Sequence, residues 1–87
     1  MRTHVVLLGD SIFDNASYVP GEPPVEAQLR AVMGDASVTL VAVDGAVVTD
    51  VPSQLVRLPR QATHLVMSVG GNDALGYVDV LPERKLV

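Results

Sequence analysis

The chain contains no cysteine, which excludes disulfides, thiolate catalysis and cysteine-ligated zinc. Aromatic residues are scarce: no Trp, one Phe and two Tyr in 87 residues, too few for a platform that stacks on a flavin or on bases. Basic residues are few as well. Six Lys and Arg against ten Asp and Glu give a net charge of −4, and the six are scattered, the opposite of the clustered positive charge that phosphate backbones require. No apolar stretch approaches the roughly 20 residues of a membrane-spanning helix. The run that follows Arg2 is broken at Asp10, too early for the core of a secretory signal. The expectation is a soluble, cytoplasmic protein with no nucleic-acid or membrane partner. No internal repeat or low-complexity segment is present.

Hydrophobic residues make up 48% of the chain and charged ones only 18%, so the chain is not of the disordered class. Three runs rich in β-branched residues stand out: 5–8 (VVLL), 37–43 (SVTLVAV) and 64–69 (HLVMSV). Their nearly continuous apolar character predicts strands of a parallel sheet covered on both faces. Two helices are predicted between them. The first follows Pro23-Pro24, with Val25, Leu29, Val32 and Met33 on its inner face and Gly34 as its stop. In the second, Val51, Leu55 and Leu58 share a face, Thr49 or Asp50 caps the start and Pro59 ends it. The order β-α-β-α-β with short connections is that of a parallel α/β sheet.

A chain this short buries only about 65% of its unfolded surface, and three strands leave an outer edge exposed. Residues 1–87 therefore read as the N-terminal part of one larger domain, with 77–87 as a tail or truncation. The open edge is expected to be completed by two further strands of the full domain, or covered by a second chain or a homodimer. A self-contained miniature domain is the alternative.

Each predicted strand ends in a glycine-containing polar stretch: GDSIFDN (9–15), DGAVVTD (44–50) and GGNDALG (70–76). Ligands of open parallel sheets bind outside the carboxyl ends of the strands, so Ser11, Gly45 and Asn72 are expected to share one rim. Taken singly, each stretch is ordinary turn chemistry; together, and in this order, they are not. Over about residues 4–76 the chain resembles the front half of the SGNH hydrolases, the GDSL esterase/lipase family. GDS at 9–11 is similar to its nucleophile motif, with Ile12 where the name-giving motif has leucine. VDGAVVTDV at 43–51 and GGND at 70–73 are similar to the second motif and to G-x-N-D.

The resemblance implies a three-layer α/β/α, flavodoxin-like fold with a parallel sheet. It implies a Ser11 nucleophile acting on an ester or similar acyl group. It also implies an oxyanion hole formed by the main-chain N–H groups of Ser11 and Gly45 and the side-chain amide of Asn72. Fixed donors of this kind are what a tetrahedral oxyanion needs. Asp10 and Asp73 flank these residues as candidates for touching substrate. Asp73 also suits positioning of its loop, and Asp10 and Asp14 suit turns. The segment 16–24, with Tyr18, Pro20 and Gly21, is expected over the pocket. No cofactor and no metal are implied, the two histidines and scattered carboxylates forming no ligand cluster.

The family's base comes from a D-x-x-H motif, and these 87 residues contain none. His4 and His64 open the first and third strands, roughly 20 Å from the rim at about 3.3 Å per residue, whereas a base must lie within about 3 Å of its nucleophile. Loss of the catalytic histidine lowers kcat about 2 × 10⁶-fold in a known serine hydrolase, so this chain alone is expected to be inactive. A non-catalytic module binding acyl groups or acetylated sugars is the alternative. A nucleotide or phosphoacceptor domain of flavodoxin type ranks last, because no G-x-x-x-x-G-K-[ST] or G-x-G-x-x-G loop is present.

Overall fold

The computed structural model describes residues 2–76; the tail assigned to 77–87 lies outside the described residues. Three parallel strands, β1 (His4–Gly9), β2 (Ser37–Leu40) and β3 (His64–Ser68), form a sheet in the order β2-β1-β3. They alternate with helices α1 (Val25–Met33) and α2 (Val51–Leu55), and α3 (Gly71–Gly76) follows β3. The architecture is a small parallel α/β fold, as the strand and helix patterns predict.

The first crossover runs from β1 to one side of the sheet, and the second returns from β2 past β1 to the other. Crossovers of one hand then leave their helices on opposite faces, and the core has this arrangement. Val5, Leu7 and Val38 pack with Val25, Leu29 and Met33 on the α1 face. Val6, Leu8 and Val41 pack with Leu58 and Ala62 on the other. β1 is thereby buried on both sides, with Val6 and Leu8 at 0% exposure.

Several details differ from the expectation. Val32, expected inside α1, is 81% exposed, since the face that meets β1 and β2 is filled by Val25, Leu29 and Met33. The start of α1 is tied from ten residues away: the side-chain oxygen of Asn15 accepts the Val25 N–H at 3.0 Å. The regular part of β2 stops at Leu40 because the N–H groups of Val41 and Ala42 both point to the Leu7 carbonyl, each at 2.9 Å. Two donors on one acceptor are the mark of a bulge. In α2 the buried position is Gln54, whereas Leu55 is exposed, and the helix ends before Leu58. Asp50 does not cap α2 with its side chain; its carboxylate accepts the Val47 N–H at 2.9 Å, closing the 3-10 turn Val48–Asp50.

The largest departure is β3. The apolar run predicts cover on both faces, yet Leu65, Val66 and Met67 are 51%, 43% and 47% exposed. β3 is the end strand, and among the described residues no helix reaches far enough to cover it. The free edge of β2 is different. Arg30, in an ion pair with Glu26 at 2.9 Å, donates from Nε and Nη2 to the Val38 carbonyl at 3.2 and 2.8 Å.

Candidate functional site

The three polar stretches meet at the carboxyl ends of the strands, and the meeting begins at Gly9. Its φ is +117°, and a Cβ built there would stand 1.8 Å from the Ser68 carbonyl oxygen. Only glycine lets β1 turn while touching β3. The Gly9 N–H donates to Gln54 Oε1, and the Gly9 carbonyl accepts from Gln54 Nε2, both at 2.8 Å. The same carbonyl accepts the Val43 N–H at 3.0 Å. Gln54 is 3% exposed, so α2 places a side-chain amide against both polar atoms of one buried peptide position. A buried amide is tolerated where its hydrogen bonds are made, and among the described residues every buried side-chain nitrogen and oxygen has a partner.

Beyond Gly9 the chain winds into a tight turn organised by Asp10. Its N–H donates to the Ser68 carbonyl at 3.0 Å, and its own carbonyl accepts the N–H groups of Phe13 and Asp14. Its buried carboxylate accepts the Ile12 N–H at 3.1 Å. Ser11 is half-buried inside this turn, flanked by the anchored N–H and carbonyl of Asp10 and the anchored N–H of Ile12.

The second stretch carries Gly45 at φ +88°, exposed, with open space where a side chain would stand. The preceding residue is bound from two directions. The Asp44 N–H donates to Asp14 Oδ2 at 2.7 Å, and Tyr18 Oη donates to the Asp44 carboxylate at 2.9 Å. The Tyr18 phenol is held above its ordinary value of about 10, first by this hydrogen bond, then by the charge of Asp44, then by desolvation and the charge of Asp14. The segment predicted to lie over the pocket is thus tied by Tyr18 to the stretch that carries Gly45.

The third stretch forms a helix that the sequence pattern did not reveal. α3 begins at Gly71, and its first turn holds Asn72 and Asp73. Asn72 Nδ2 donates to the Ala46 carbonyl at 3.0 Å, and Asp73 accepts the Val48 N–H at 2.9 Å. A carboxamide nitrogen carries two hydrogens, and the Ala46 bond uses one of them. The loop-positioning role anticipated for Asp73 and the turn role anticipated for Asp10 both match these bonds.

Ser11, Gly45 and Asn72 therefore belong to three segments, two loops and the first turn of α3, stitched to one another. The first meets the second through Val43, Asp44 and Tyr18, the first meets β3 through Asp10, and the second meets the third through Asn72 and Asp73. A cavity of about 380 Å³ opens beside Gly45, bounded by Asp44, Ser53, Gln54 and Arg57; Ser11 and Asn72 do not line it. The carboxylates of Asp10, Asp14, Asp44, Asp50 and Asp73 all accept hydrogen bonds from main-chain N–H groups or from Tyr18. They serve as staples of the rim.

Neither histidine approaches this rim. His4 and His64 are the first residues of β1 and β3, at the opposite edge of the sheet. His4 Nε2 lies 2.7 Å from Thr39 Oγ1, and His64 Nδ1 lies 2.8 Å from Thr63 Oγ1. Among the described residues no group of three or more His, Asp or Glu is placed to hold a metal ion, and no helix is long and apolar enough to cross a membrane.

Sequence reasoning missed Gln54, Asn15 and the Tyr18–Asp44 tie. Gln54 left a trace, since it stands three residues after Val51 and four before Leu58, in the stripe expected to be apolar. A polar residue at such a position signals a buried hydrogen-bonding group. Asn15 left none, because its partner is ten residues on and beyond a loop. Comparison of the chain with protein-family models, with curated proteins and with solved structures finds no match.

Proposed function

We propose that residues 1–87 are the front part of an SGNH-type serine ester hydrolase of flavodoxin-like fold. In this reading Ser11 is the nucleophile, and the N–H groups of Ser11 and Gly45 with the Asn72 amide receive the oxyanion. The observation that supports it most is the hydrogen-bonded junction of the three loops: Val43 N–H on Gly9, Asp10 N–H on Ser68, and Asn72 Nδ2 on Ala46. Three motif residues far apart in sequence belong to one stitched edge, at the end of the sheet where ligands of parallel folds bind.

The chemistry follows from the groups at that edge. An acyl carbonyl is attacked by Ser11 Oγ, negative charge collects on the carbonyl oxygen, and uncharged donors on a rigid frame stabilise it. The anchoring of Asp10 and the clamp on Gly9 keep the Ser11 turn from reorganising as charge develops. Proton removal from Ser11 requires a group that the described part of the rim does not supply, because its carboxylates are engaged and both histidines lie at the far edge. The base and its acidic partner are assigned to a D-x-x-H segment outside these 87 residues, on the same polypeptide or on another.

The engagement of the rim carboxylates as structural staples supports a second reading, a module that keeps the donors of the rim and binds an acyl or acetylated-sugar group without cleaving it. Fluorophosphonate labelling separates the two. The 87-residue chain is expected to label no faster than its Ser11→Ala variant. A longer polypeptide carrying D-x-x-H is expected to label rapidly and to lose labelling on Ser11→Ala. Ester or acetyl-sugar binding by the longer polypeptide without labelling would favour the module and reject the hydrolase.

A further inference from the structure

We propose that a cavity at the amino ends of the strands binds a small molecule through its phosphate group. The site lies at the opposite end of the sheet from Ser11 and does not depend on the reading of that residue. The cavity measures about 730 Å³ and is lined by Arg2, His4, Ser37, Arg60, Gln61 and Thr63, a size usual for small-molecule sites. Its walls come from the starts of β1 and β2 and from the loop that enters β3. None of them is the outer edge of β3, so strands added beyond β3 would leave these walls in place.

The sequence builds this cavity by period and by loop. The Ser37 N–H donates to the Thr3 carbonyl at 2.9 Å, which continues the ladder back past His4. Alternation then puts Arg2, His4, Val6 and Leu8 on one face. Val6 and Leu8 pack there with Leu58 and Ala62, and the two polar members of the stripe extend beyond the apolar core. Arg60 and Gln61 immediately precede Ala62 in the loop that follows α2. Thr63 fastens that loop to β1: its N–H donates to the His4 carbonyl at 2.9 Å, and its Oγ1 accepts the His4 N–H at 2.8 Å. Two arginines far apart in sequence thus come to one concavity. The His4 ring is held by Thr39 Oγ1, 2.7 Å from Nε2; with that hydroxyl as donor, Nδ1 carries the ring hydrogen.

Charge decides the class of ligand. No carboxylate lines the cavity. Among the described residues neither Arg2 nor Arg60 is in an ion pair, whereas Arg30 is paired with Glu26. Asp35 shares a neighbouring cleft with Arg2 on the α1 face without pairing to it. The aspartates of the rim lie at the other end of β1, roughly 20 Å away at about 3.3 Å per residue. That exceeds the screening length of about 8 Å at physiological salt, so the acidic rim does not repel an anion here. A guanidinium fork matches the oxygens of a phosphate and sheds water more readily than an ammonium. Two forks suit a dianion better than a single carboxylate. Ser37 and Gln61 supply uncharged partners for the group that the phosphate is attached to. Two arginines in one concavity serve one phosphate, not the run of phosphates in a nucleic-acid backbone.

Amide-resolved NMR of the 87-residue chain, titrated at constant ionic strength with inorganic phosphate, glycerol phosphate or acetate, tests the site. Inorganic phosphate should shift the amides of His4, Ser37, Gln61 and Thr63 saturably, with a dissociation constant on the order of 10⁻³ M. The amides of Ile12, Gly45 and Arg57 should stay in place. Glycerol phosphate should bind at least as tightly as inorganic phosphate, and acetate at least about tenfold more weakly. Arg2→Gln and Arg60→Gln, both at exposed positions, should each weaken phosphate binding at least about fivefold while the rest of the spectrum remains that of the parent. Arg60→Lys should restore only part of the loss, because an ammonium lacks the fork. Shifts that never saturate and spread over all exposed amides, acetate binding as tight as phosphate, or an Arg60→Gln chain that binds like the parent each overturn the proposal.

Discussion

β1 and β3 are neighbours in one sheet, run in the same direction and carry nearly the same sequence character. VVLL and LVMS are both short and apolar. Yet Val6 and Leu8 are fully buried, whereas their register partners Leu65 and Met67 are about half exposed. The difference comes from position alone. β1 has a strand on each side, the α1 packing below it and Leu58 and Ala62 above. Among the described residues β3 has one neighbouring strand and little cover. Composition specifies that a strand is able to be buried on both faces; topology decides whether it is. The stability of the fold is thus concentrated in β1 and in the turn that leaves it.

The sharpest way to break this contrast is at the junction of the two strands. Gly9→Ala drives a Cβ into the Ser68 carbonyl at a backbone angle that L-residues avoid. It is expected to remove more than about 4 kcal/mol, most of the stability available to a small domain. Loss of the cooperative urea transition would register it, and a normal transition would contradict the close approach.

Next comes truncation within each strand. Leu8→Ala empties fully buried volume and should cost about 2–5 kcal/mol. Leu65→Ala, two residues away across the ladder, should cost less than about 1 kcal/mol in dilute monomer. Equal urea midpoints for the pair would mean that β3 is covered in solution after all.

Gln54→Leu keeps the volume on α2 but leaves the Gly9 N–H without its acceptor, an effect of about 1–3 kcal/mol. Its signature is faster exchange of the Gly9 amide at an otherwise unchanged fold, and a slow Gly9 amide in the variant would discount the clamp. The smallest effect concerns Tyr18, whose phenol is raised above its ordinary value by the bond to Asp44. A proton held more tightly in the folded state stabilises at pH below the unfolded phenol value near 10. That contribution fades as pH climbs through the raised folded value. Ultraviolet titration of the chain against Tyr18→Phe should therefore show that the phenol ionisation lost in the variant lies above the ordinary value near 10.

The legible part of the fold was the part governed by local pattern. β1 and β3 announced themselves by β-branched runs, and α1 by the spacing of Val25, Leu29 and Met33 with Gly34 behind. The loops that would carry chemistry were legible because each follows its own strand, which in a parallel sheet brings them to one edge whatever their separation in sequence. Illegible features depended on partners far along the chain. The end of β2 is set by two donors competing for the Leu7 carbonyl, and α2 is oriented by a glutamine seeking Gly9. Val32 is outside because three other residues of α1 already fill the available face. The helix at Gly71–Gly76 has two glycines and an Asn-Asp pair, a composition that reads as a turn until the Ala46 and Val48 main-chain groups are supplied to it.

The Gln54 carboxamide behaves chemically as a detached peptide unit. It offers one donor and one acceptor to Gly9, as a fourth strand segment would, but approaches from a helix that is not part of the sheet. α2 and the turn containing Ser11 are thereby joined by two short bonds with no intervening loop. A slide of α2 along the sheet, even by one residue's rise of about 1.5 Å, would carry both bonds out of range together. The turn and the helix can move only as a single piece, so stiffness at Ser11 is inherited from a residue more than forty positions away.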